Sequence, residues 1–186
     1  MPRVRKVTAR SLLHIVPGFT ILVVDTNILL CSLNTFSTVV ESLRWTVVIP
    51  LPVIMELDGL SSNVSQLGEA AQAALNFVTS HVRSHSASLK VQTSRGNYLT
   101  SLTVRTEQVD FGDAQSRDQC MDDLILKAAI WQDEHWIDRS SMLMGECESK
   151  KKDIAAGRAV KVVLLSLDRN RRSLLLWNCD FSDSGT

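Results

Sequence analysis

The chain alternates compact apolar runs with longer stretches whose apolar positions recur at helical spacing. "TILVV" (residues 20–24) and "WTVVIP" (45–50) are short β-branched runs that read as strands. The first stops at Asp25-Thr26-Asn27, and Pro50 and Pro52 punctuate the end of the second. "LKVQT" is a third strand and "KVVLLS" (161–166) a late one, with a further apolar segment, "SLLLWN", near the end. Between the strands lie helical patterns. "ILLCSLNTFSTVVESL" fits one or two helical turns. "VIMELDGL" puts Val53, Ile54 and Leu57 on one face, with Gly59 as its stop. "LGEAAQAALNFVTSHV" (67–82) is alanine-rich, and Leu67, Ala71, Ala74, Leu75 and Val78 share a stripe. "MDDLILKAAIWQDEHW" is the next helix. Two stretches break the pattern: the polar segment 106–119, and residues 133–159, which mix Ser, Gly and charge and read as an inserted surface loop.

Strands alternating with helices imply an α/β fold with a central parallel sheet covered by helices on both faces. The expected organisation is a basic lead-in over 1–19, one domain over 20–178 and a tail over 179–186, which suits a chain of 186 residues. No apolar stretch approaches the roughly 20 residues that span a bilayer, and the basic start "MPRVRKVTAR" lacks the apolar region of a signal peptide.

Charge narrows the picture further. Twenty basic residues balance twenty acidic ones. There is therefore no global field to draw in nucleic acid, and such binding has to come from a local patch. Arg95, Arg169, Arg171 and Arg172 are candidates for a basic rim, while Lys150, Lys151 and Lys152 read as a solvated run. Aromatic residues make up 5% of the chain with no basic–aromatic interleaving, so base-stacking platforms are not expected. Cys31, Cys120, Cys147 and Cys179 show no CxxC spacing, which argues for reduced thiols over a zinc knuckle.

The acids carry the candidate chemistry. Ligands of open parallel sheets bind in the crevice at the carboxyl ends of the strands. Asp25 directly follows the first strand and Asp168 follows the late strand, so both point to one edge if those strands are neighbours. A third acid comes from "MDDLIL". Asp123 lies four residues before Lys127, a solvated ion-pair spacing, whereas Asp122 lies on the side of Leu126 and Ala129 and is expected to face inward. Glu56, on the helix after the second strand, is a fourth. Converging carboxylates repel one another, and Mg²⁺ or Mn²⁺ relieves that repulsion while activating a water for attack on a phosphodiester. Taken singly, each acid reads better as a cap, turn or surface residue, and only their joint placement points to a site.

Five ordered landmarks, "VVDTNILL", "VIPLPVIMELDGL", "TSRGN", "DDLIL" and "VVLLSLDRN", resemble those of PIN domains, most closely the C-terminal PIN domains of the Est-like nonsense-mediated mRNA decay factors. The resemblance spans residues 21–170. It implies a three-layer α/β/α sandwich and, in many members, Mg²⁺- or Mn²⁺-dependent endoribonuclease activity on single-stranded RNA. It assigns the acidic catalytic and metal-binding set to Asp25, Asp122 and Asp168, with Asn27, Glu56 and Ser166 supporting them. Active members of this branch carry an acid at the position of Leu167, preceded by a threonine where this chain has Ser166. They also have polar residues where this chain has Cys120 and Met121. These departures make the chain similar to the non-catalytic line of the branch. That implies an interaction module with a vestigial or weak site, weak metal binding at best, other decay factors as partners, weak contact with single-stranded RNA, no membrane, and residence in the cytoplasm with the nucleus as an alternative. It also implies further chain upstream in the natural protein.

Overall fold

The computed structural model describes residues 14–103, 121–137 and 159–167. Its elements run β1 (Ile21–Val24), α1 (Thr26–Cys31), α2 (Leu33–Glu41), β2 (Thr46–Pro50), α3 (Leu51–Ser61), α4 (Gln66–Ser84), β3 (Leu89–Gln92), β4 (Tyr98–Leu99), α5 (Met121–Glu134) and β5 (Val162–Leu165). The strands form one sheet in the order β4-β3-β2-β1-β5, flanked by helices. β1 pairs in parallel with β2 on one side and β5 on the other, and β2 pairs in parallel with β3.

β1 and β2 are apolar at nearly every position because both of their faces are covered, and every residue of each is buried. Burying each Val, Ile or Leu side chain of this kind contributes about 1.5–3 kcal/mol. The core they form is continuous with Val53, Ile54 and Leu57 of α3 and Ala71, Ala74, Leu75 and Val78 of α4. Leu67 departs from the expected stripe. It is exposed at the start of α4, and Gly68 takes the buried position beside it. Ser65 caps this helix, its Oγ accepting from the Gly68 N–H at 3.2 Å.

Helix bounds differ from the sequence reading most in α1, α2 and α3. The 28–43 pattern resolves into two helices, α1 and α2, joined at Ser32. α3 starts at Leu51, with Pro52 in the first turn, where its missing N–H costs nothing. α3 also runs through Gly59 to Ser61, so Gly59 is interior and not a stop. Of the expected loop 133–159, Asp133 and Glu134 belong to α5, and residues 138–158 lie outside the described residues. The 106–119 segment, the lead-in up to residue 13, the "SLLLWN" segment and the tail lie outside them as well.

The sheet is parallel except at one edge, where β4 pairs antiparallel with β3. This two-residue strand is too short to leave a periodic signal. It is made by the turn in "TSRGN". Gly96 has φ +89° and its N–H donates to the Thr93 carbonyl at 3.0 Å. Gly96 also lies directly against Trp131 of α5. The Gln132 amide bonds both Gln92 and the Tyr98 hydroxyl, tying β3, β4 and α5 together.

The chain moves from β1 to β2 to β3 in one direction, and its last described strand, β5, sits on the far side of β1. The order therefore reverses between β1 and β5, and the crevice outside their carboxyl ends is the place where open α/β sheets take ligands.

Candidate functional site

Val24 pairs with Leu165 at the last register position of β1 and β5. The next residues, Asp25 and Ser166, therefore emerge side by side at the carboxyl edge. The Asp25 N–H extends the ladder by donating to the Leu165 carbonyl at 3.0 Å. Its side chain then N-caps α1, with Oδ1 accepting from the Thr26 N–H at 2.7 Å. Oδ2 accepts from Ser166 Oγ, also at 2.7 Å. The carboxylate is 1% exposed. A buried carboxylate is tolerated only with such donors, which is why a cap and a hydroxyl meet it here.

Thr26 was not singled out by the sequence reading. Its hydroxyl donates to the Glu56 carboxylate, which is half-buried on α3, so Asp25-Thr26 links the end of β1 to the helix after β2. Asn27, one residue on, is exposed.

The structure places Asp122 at the exposed end of the inward stripe of α5. Asp122 shares its helical stripe with Ile125, Ala129 and Gln132, of which Ile125 and Gln132 are fully buried, yet Asp122 and Asp123 are both exposed. Asp122 sits in the first turn of α5, and the packing that buries the rest of the stripe begins only with Leu124 and Ile125. Two acids in a first turn also suit the positive end of the helix dipole without any ligand. Arg95 lies exposed in the β3–β4 turn. Asp168, Arg169, Arg171 and Arg172 lie outside the described residues. Leu167, immediately after Ser166, is 39% exposed and presents an apolar side chain at this edge.

The donors at this edge are oxygens, which suits Mg²⁺ or Mn²⁺ better than softer metals. Among the described residues, however, no three His, Cys, Asp or Glu side chains are grouped so that they could hold an ion. What the described arrangement does chemically is hold one buried carboxylate, Asp25, in a fixed orientation, with a second, Glu56, coupled to it through Thr26. Cys31 is a free, exposed thiol at the end of α1, and no helix among the described residues is long and apolar enough to cross a membrane.

Comparison with known proteins agrees with this architecture. The telomerase-binding protein EST1A of the zebrafish Danio rerio is 29% identical over 170 residues, which covers 81% of this chain and 10% of that protein. The chain thus spans about a tenth of that relative's length. The family model described as PIN domain matches residues 22–174, from the second residue of β1 to beyond β5. With a parallel sheet whose order reverses at an acid-bearing carboxyl edge and a family match over most of its length, the chain belongs to the PIN domain family.

Proposed function

We propose that this PIN domain is a module of an Est-like nonsense-mediated decay factor that works mainly through protein contacts and keeps its nuclease site in a degenerate or very weak form. The observation that carries this reading is the state of Asp25. Both of its carboxylate oxygens are engaged within the chain, by Thr26 and Ser166, and the next side chain along the edge is the apolar Leu167. A metal ion at this edge would compete with those hydrogen bonds and would gain no ligand from the leucine. In this reading Mg²⁺ or Mn²⁺ binds weakly if at all, through Asp25, Asp122 and Asp168. The partners are other decay factors, with weak contact to single-stranded RNA through Arg95, Arg169 and Arg171, in the cytoplasm or the nucleus. Telomerase binding is what the zebrafish relative's name states of that protein. Its bearing on this chain is limited to the shared domain.

The second reading, a working metal-dependent endoribonuclease, is favoured by the retained contact of Asp25 and Ser166 at the sheet's switch point. Incubation with Mn²⁺ and a labelled single-stranded RNA separates the two. The first reading expects at most trace cleavage. Robust cleavage that disappears in Asp25→Asn, Asp122→Asn and Asp168→Asn would overturn it.

A further inference from the structure

A cavity of about 680 Å³ lies between α3, α4 and the segment that follows β4. Asp58 lines it from α3, and Thr79 and Arg83 line it from α4. Thr100, Ser101 and Thr103 complete its polar wall, and the buried Val82 and Leu102 are its apolar part. Asp58 follows Glu56 by two positions on α3, and two helical steps turn a side chain through about 200°. The cavity is therefore on another side of α3 from the edge at Asp25, and no residue of that edge lines it.

Its donors are unused. Thr79 and Arg83 stand one turn apart on α4 and share a face. Among the described residues the Arg83 guanidinium makes no hydrogen bond or ion pair, and the hydroxyls of Thr79 and Thr100 make no hydrogen bond. Ser101 Oγ and Thr103 Oγ1 are 3.2 Å apart and share one hydrogen bond. Asp58 has an interaction of its own.

This lining selects a ligand by its chemistry. The planar fork of an arginine suits the paired oxygens of a phosphate, and a neighbouring hydroxyl adds a donor to a third. A carboxylate repels an anion set against it but accepts from hydroxyl groups. A ligand that is anionic at one end and hydroxylated at the other satisfies both walls. No aromatic side chain lines the cavity, so a nucleobase has nothing to stack on. The volume falls within the roughly 300–1,000 Å³ of small-molecule sites.

We propose that this cavity binds a sugar phosphate, with Arg83 and Thr79 holding the phosphate and Asp58 accepting from the sugar hydroxyls. The site is separate from the edge at Asp25 and does not depend on how that edge functions.

The test is a titration of the chain with ribose 5-phosphate, inorganic phosphate and ribose, followed by amide and guanidinium signals in NMR. Ribose 5-phosphate is expected to move the signals of Thr79, Arg83 and Thr100 and to bind more tightly than either half alone. From the worth of a hydrogen bond to a charged group, Arg83→Ala is expected to weaken that binding by about 10–150-fold. Arg83→Lys should recover only part of it, because an ammonium lacks the planar fork. Asp58→Asn should weaken ribose 5-phosphate and leave inorganic phosphate no weaker, and Asp25→Asn should change neither. Arg83 is exposed and holds no other group among the described residues, so circular dichroism of its variants should match the parent. A 5′-phosphorylated RNA oligomer distinguishes the sources: competition at the same signals would assign the sugar phosphate to a strand end, and its absence to a free ligand. Inorganic phosphate binding as tightly as ribose 5-phosphate, or an affinity that Arg83→Ala leaves unchanged, would overturn the proposal.

Discussion

Ser166 Oγ donates a 2.7 Å hydrogen bond to Oδ2 of Asp25, joining residues 141 positions apart in sequence. It brings the ends of the first and last described strands together at the point where the sheet order reverses. Removing the donor leaves a buried carboxylate oxygen one partner short. Ser166→Ala is therefore expected to lower stability by about 1–3 kcal/mol in urea denaturation, and Ser166→Thr to retain most of it. An alanine variant as stable as the parent would show that the bond contributes nothing net.

Gly96 illustrates a position where only the tertiary neighbour explains the residue. Its φ of +89° disfavours any side chain, and an added Cβ would lie 2.0 Å from the Cε2 atom of Trp131. Gly96→Ala is expected to cost about 1–3 kcal/mol. It should also displace the indole, which is read as a shift in tryptophan fluorescence absent from a control substitution at the exposed Asn97.

Two glycines inside helices should respond with opposite signs. Gly59 has open space around its Cβ position, so Gly59→Ala should stabilise α3 by about 0.5–1 kcal/mol. A Cβ on Gly68 would meet the Asn63 carbonyl oxygen at 1.9 Å. There the same substitution should destabilise by about 1–3 kcal/mol despite alanine's better helix propensity. Paired melting curves check both signs at once.

Leu167 supplies the test that builds rather than removes. If the edge lacks a ligand there, Leu167→Asp should raise Mn²⁺-dependent cleavage of single-stranded RNA above the parent level. The gain should vanish in the double variant with Asp25→Asn. A change of roughly 10–100-fold is the scale on which such supporting groups act. No gain would mean that the restriction lies elsewhere, with the engaged oxygens of Asp25 the first place to look.

The α/β class, the four strands of the parallel ladder and the helices between them were legible in the chain, because burial on both faces leaves continuous β-branched runs and helix burial leaves a 3.6-residue stripe. Asp25 and Glu56 were legible as candidates because each ends or follows a strand. Helical phase told which side of α5 Asp122 lies on, but not how far along the helix the packing extends. β4 was missed because two residues carry no period, and Thr26 because its role depends on a helix thirty residues away.

What the amino-acid sequence determined by itself was therefore local: periodicity, caps, turn residues and the family landmarks, all set by neighbours within a few positions. What only the tertiary structure decided was long-range. Seating β5 beside β1 put Ser166 on Asp25. The α1–α3 packing put Thr26 on Glu56, and α5 against the β3–β4 turn required a glycine at position 96. Those relationships arise from strand order and packing, which a linear pattern constrains without specifying.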